Sequence, residues 1–170
     1  MTPNAELRER LCRFALVRDL RGEEELVDAL LGALRPAEFA AGTDIVTKGR
    51  SGTEAYLLVA GTAEVLDFTL QGEPYLKAVL TAEQAVLFGE VALVSDDLRT
   101  ATVRARTACT CWVLRREDFL RLGDAHPRLG WVLLREIARL LAERLRRTNE
   151  DVLRLFEALV MEVEGGIGGG

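Results

Sequence analysis

The chain has 170 residues, with 22 Lys and Arg against 27 Asp and Glu, a net charge of −5 and 49% hydrophobic residues. That is apolar material for one core, with room besides for one long terminal helix. The acidic balance argues against a dedicated nucleic-acid surface and against anionic membranes, and no apolar run approaches a membrane-spanning length.

The first residues, Met1 to Glu6, lack the basic-then-apolar pattern of a secretion signal. Leu7, Leu11, Phe14, Ala15 and Val17 to Leu20 recur at roughly helical spacing up to Gly22. Glu23, Glu24 and Glu25 then fill a first helical turn, where acidic side chains suit the dipole. Leu26, Val27, Leu30, Leu31 and Leu34 make the apolar stripe of a second helix, which stops before Pro36. Residues 1–35 are therefore expected to be helical.

From Pro36 the pattern changes to short apolar runs between glycine-bearing turns. Strands are expected over 44–47, 55–60, 63–68, 75–80, 100–106 and 108–114, with turns at 41–43, 48–52, 61 and 71–74. Such a series implies an all-β sandwich or jelly roll over 36–115. Cys109 and Cys111 would share one face of the last strand. Three cysteines, with Cys12, are an odd set that suits a reducing cytoplasm better than disulfides. The single histidine, His126, leaves too few further ligands for a metal site.

Between the strands lies Phe88-Gly89-Glu90-Val91-Ala92-Leu93, a five-residue loop, and Arg99-Thr100-Ala101-Thr102-Val103. A short helix opening at Gly89 would offer unpaired N–H groups to an anion. Arg99 adds a planar fork of donors matched to a phosphate or carboxylate. Glu90, acceptor-only when ionised, suits a hydroxyl such as a sugar 2′-OH. Together they suggest a nucleotide; the alternative is a strand–turn–strand with one structural ion pair.

The stretch 88–105 resembles the phosphate-binding cassette of cyclic nucleotide-binding domains, which read Phe-Gly-Glu-aliphatic-Ala-aliphatic, a short loop, then Pro-Arg-small-Ala. Leu98 stands where the proline is frequent, and Ala85-Val86 stands where relatives usually carry Gly-Asp, so a permissive backbone position is lost. The resemblance implies an eight-stranded jelly-roll β-barrel flanked by helices, mainly β in class. It implies cyclic AMP or cyclic GMP as ligand, with no other cofactor and no catalytic residue. Arg99 would meet the cyclic phosphate, Glu90 the ribose 2′-hydroxyl, and the N–H groups near Gly89, Val91 and Ala92 would assist. Thr100 would face the phosphate, and Ala101 would supply a backbone contact. Thr100 is a weak hint of cyclic GMP.

Beyond the strands, Asp118 to Leu122 reads as a short helix, broken before Pro127. From Trp131, apolar residues step by three and four to Leu159, a helix of about thirty residues or ~45 Å. Its six Arg and five acids between Trp131 and Val160 suit a solvated face. Val152, Phe156 and Leu159 are surplus to packing on a barrel and call for a partner helix. This helix resembles the one through which family members dimerise, and Thr148 and Asn149 match the pair that meets the base. Helices are thus expected over 116–163 and a flexible, glycine-rich tail over 164–170.

The leading expectation is a cytoplasmic sensor, without an attached effector, that dimerises and acts through a separate partner protein. The alternative is a relative that has lost its ligand and serves as an interaction or dimerisation module. A jelly-roll enzyme of the cupin kind needs clustered His and carboxylate ligands, which one histidine does not supply.

Overall fold

A computed structural model describes residues 3–167, and side chains over 6–162. The chain divides into two compact units, one up to Leu133 and one from Leu134.

The first unit opens with α1, Pro3–Leu11, a 3-10 turn over Ala15–Leu20, and α2, Glu24–Ala33. The helical spacing across 7–20 is thus split. After Cys12 the chain turns so that Phe14, Leu16, Val17 and Leu20 are all buried. Phe14 packs against Trp112, ring centroids 6.3 Å apart, which seats this segment on the sheet.

Eight strands follow: β1 Arg35–Phe39, β2 Asp44–Val46, β3 Glu54–Ala60, β4 Thr62–Phe68, β5 Pro74–Thr81, β6 Leu87–Phe88, β7 Thr102–Ala105 and β8 Cys109–Arg115. They form two four-stranded antiparallel sheets, ordered β1-β8-β3-β6 and β2-β7-β4-β5. Leu58, Phe88, Cys109 and Cys111 from the first meet Ile45, Val46, Ala63, Val103 and Ala105 from the second in one apolar cluster. Alternation along each strand puts these side chains on the inner faces. The cysteines are free, and burial pushes the Cys111 thiol up to about 12.

β1 was not expected as a strand. Its Pro36 is tolerated because β1 is a sheet edge, where one face of the backbone needs no partner. β6 holds the Tyr56↔Phe88 and Leu57↔Leu87 pairs with β3, and so fixes the start of the 88–105 stretch. The helix expected over 118–122 is longer, α4 Arg116–Ala125.

The long helix α5, Pro127–Ile167, begins with its proline at the first position, where the missing N–H costs nothing. It continues through 164–167, so the expected tail is helical there, and residues 168–170 lie outside the described residues. Within the second unit, Arg146–Glu150 and Arg147–Glu143 pair at i, i+4. Leu145, Val152, Leu155, Phe156 and Leu159 are exposed. Among the described residues no helix is long and apolar enough to cross a membrane.

Candidate functional site

The site is assembled where β6 ends. Gly89 takes φ +73°, a conformation that favours glycine, and turns the chain out of the sheet. Glu90 follows as the cap of the one-turn helix α3, Val91–Val94, and is fully buried. Val91 is half-buried at the first helical position, where an N–H has no intrahelical acceptor. The Ala92 N–H is given to the Gly89 carbonyl at 3.2 Å, closing the turn, so any ligand contact from it is a shared bond.

Arg99 returns to the same place from the loop. Its backbone is pinned by Gly49 N–H to Arg99 O at 2.8 Å and by Arg99 N–H to Arg50 O at 2.9 Å. Its side chain is 8% exposed. Nη1 donates to the Gly89 carbonyl at 3.1 Å, and Nη2 to the Glu54 carbonyl at 2.8 Å. The Glu54 carboxylate stands 3.5 Å from Nη2 and also accepts the Thr53 N–H. Gly52 lies flat against the guanidinium: a Cβ there would come within 2.6 Å of Nη2. Tyr56 stacks on Phe88 with centroids 5.3 Å apart and closes the apolar side, its phenol pushed up by burial.

The sequence motif therefore does bring Gly89 and Arg99 into contact, ten residues apart, one residue before a buried Glu90. Thr100 is exposed on the loop and Ala101 half-buried. Thr102, behind them, is buried and accepts the Lys48 N–H at 3.0 Å. Thr148 and Asn149 are exposed on α5, in the second unit. Glu54 and Gly52 were missed. Glu54 acts partly through its carbonyl, and a backbone oxygen 45 residues from Arg99 leaves no mark in the sequence. Gly52 was legible only as a turn glycine.

The wall before β6 is a 3-10 turn, Ala82–Gln84, closed by a capping box between Thr81 and Gln84. Ala85 ends it at φ +49°, ψ +57°. The left-handed turn survives the replacement of glycine, with the strain carried by an alanine.

Chemically, a cation in a nearly closed place is balanced here by two carbonyls and one longer carboxylate contact. A guanidinium so placed has the donor geometry to meet an anion. Among the described residues no group of three or more His, Cys, Asp or Glu gathers to hold a metal.

Comparison with known proteins agrees with this geometry. The model of the cyclic nucleotide-binding domain matches residues 36–126, more than half of the chain. A cAMP-dependent protein kinase regulatory subunit of Yarrowia lipolytica is 40% identical over 93 residues, 55% of this chain and 24% of its own length. Isozyme 1 of the cGMP-dependent protein kinase of Drosophila melanogaster is 33% identical over 103 residues, 59% of this chain and 13% of its own. The chain thus spans a quarter or less of these curated relatives. Among solved structures, the Thermus thermophilus catabolite activator protein superposes with a TM-score of 0.69 at 29% identity, over 77% of this chain and 59% of that one. Motif, double sheet and family match coincide on the same residues, and the chain belongs to the cyclic nucleotide-binding domain family.

Proposed function

We propose that this chain is a regulatory module that binds cyclic AMP or cyclic GMP in the 88–105 cassette and signals through a partner protein. The observation that carries the reading is the near-buried Arg99 guanidinium, fastened to the Gly89 carbonyl and lying on Gly52, one residue from a buried Glu90. A nearly buried guanidinium whose carboxylate partner stands as far off as 3.5 Å can exchange its present contacts for an incoming phosphate, which it meets with two parallel bonds. Glu90 takes the ribose 2′-hydroxyl, Val91 and Gly89 offer N–H groups to the phosphate, and Thr100 and Ala101 line its outer side. The kinase and activator relatives support the ligand class. The module binds rather than catalyses.

On α5, the exposed apolar positions Leu145, Val152, Phe156 and Leu159 support a homodimer made by two copies of the helix. Thr148 and Asn149 are the base contacts of this reading. Free Cys12, Cys109 and Cys111 are consistent with a cytoplasmic setting. A ligand-free interaction module is the second reading. It is favoured by the hydrogen bonds that already engage Arg99 within the protein.

Thermal unfolding with cyclic AMP, cyclic GMP and linear 5′-AMP separates the two. At one hundred times its dissociation constant a ligand adds about 2.7 kcal/mol. For a chain of this size that is about 5–10 °C. A shift with a cyclic nucleotide alone is the expected result; none at millimolar concentration favours the second reading.

A further inference from the structure

Arg116, the first residue of α4, takes no part in the constellation above, yet it grips the far end of the same helix. Its Nε donates to the Ala92 carbonyl at 2.6 Å, Nη2 donates to the Ser95 carbonyl, and Nη1 pairs with Asp96. The last carbonyls of a helix have no acceptor role inside it, and an arginine is well suited to take them up. Asp96 is 93% exposed, against 20% for Arg116. The ion pair is therefore screened by water, and the two carbonyls carry the grip.

Arg116 also shares an anchor with Arg99. Its own N–H goes to the Thr53 carbonyl at 2.8 Å, and the next residue, Glu54, supplies the carbonyl and carboxylate that hold Arg99. Arg99 by its guanidinium and Arg116 by its backbone N–H are thus both fixed where β3 begins. One holds the Gly89 carbonyl at the entry of α3, and the other holds its exit. A four-residue helix has too few internal bonds to keep its place alone, so these outer contacts set where Glu90 and the Val91 amide stand.

We propose that Arg116 is a positioning residue for the nucleotide site. The proposal rests on the reading of the cassette as a cyclic nucleotide site. A phosphate that draws Arg99 off the Gly89 and Glu54 carbonyls frees the entry of α3. The exit, held by Arg116 at the Ala92 and Ser95 carbonyls, then keeps Glu90 and the Val91 amide in place.

Amide hydrogen exchange on the full, nucleotide-free chain tests the grip without any ligand. Arg116→Gln raises exchange over residues 91–97 about tenfold while the β4–β5 ladder keeps its protection. Unchanged exchange overturns the proposal, and so does a rise spread over the whole chain. Titration with cyclic AMP and cyclic GMP then reads the site. Arg116→Gln weakens binding about tenfold. Arg116→Lys keeps the charge without the planar fork and falls between parent and Gln. A parent that binds, with Arg116→Gln equally tight, overturns the positioning role and leaves the nucleotide reading standing. A parent that binds neither nucleotide, with the exchange rise still present, overturns the nucleotide reading and the role built on it.

Discussion

Gly52→Ala tests the site through its floor. A Cβ at this position would stand 2.6 Å from Nη2, 2.7 Å from Nε and 2.9 Å from Cζ of Arg99. Comfortable contact between such atoms begins at about 3.5 Å, so the guanidinium has to retreat by roughly 0.5–1 Å. Retreat stretches its bonds to the Glu54 carbonyl, now 2.8 Å, and to the Gly89 carbonyl, now 3.1 Å. The clashing group is the end of a flexible side chain, and Gly52 does not require a left-handed backbone, so the fold accommodates the change. The melting temperature is expected to fall by no more than about 4 °C, the size of a one-kilocalorie loss. Nucleotide binding responds more strongly, because a charged hydrogen bond is worth about 1.5–3 kcal/mol. That corresponds to about 10- to 150-fold in affinity. Calorimetric titration of parent and variant with cyclic AMP and cyclic GMP reads it. An affinity within twofold of the parent's, in a folded variant, would refute the claim that the Arg99 position limits binding.

Glu90→Gln keeps the shape of a fully buried side chain and removes its charge. It is expected to erode the preference for cyclic AMP over its 2′-deoxy analogue, and an unchanged ratio would remove Glu90 from the ribose. Ala85→Gly relieves a left-handed alanine at φ +49°. The strain of about 1–2 kcal/mol is partly offset by the extra freedom of unfolded glycine, about 0.5–1 kcal/mol, so a net gain of about 0.5–1 kcal/mol should appear as a higher urea midpoint. The hydrogen bond from Lys48 foremost, with Phe68 N–H and Lys77 beside it, holds the Asp67 carboxyl down from 3.8 to about 2. A carboxyl depressed by folding adds stability above its ordinary range and loses it as pH falls through the folded value. Asp67→Asn should therefore be less stable than the parent at pH 7, and the gap should close between about pH 4 and pH 2; a gap that persists at pH 2 points to packing instead.

The fold was legible where the chain punctuates itself. Gly42, Gly61 and Gly72 each take positive φ at turns expected from the sequence, and the strands between them fall within a residue or two of their expected bounds. β1 was hidden because Arg35–Phe39 carries a proline and no apolar run, and it becomes a strand only through its ladder with β8. Around the candidate site, the turn at Gly89 and the return of Arg99 to it were legible because the motif is local, with a glycine marking the turn and a charged side chain marking each of Glu90 and Arg99. Glu54, Gly52 and Arg116 were not, because they work through a carbonyl, an absent Cβ and a grip on other residues' carbonyls. Ala85 shows the same limit from the other side. The missing glycine was evident, but only the fold decides that an alanine will hold the left-handed turn.

Nucleotide binding in this proposal turns on Arg99 receiving the cyclic phosphate. Titration of the parent and Arg99→Ala with cyclic AMP, cyclic GMP and 5′-AMP addresses it directly. Saturable binding of a cyclic nucleotide by the parent is expected, with much weaker binding of 5′-AMP and a loss of about 2–5 kcal/mol in the variant, about 30-fold or more. Equal affinity in the two proteins, or no binding by the parent at millimolar nucleotide, would contradict it.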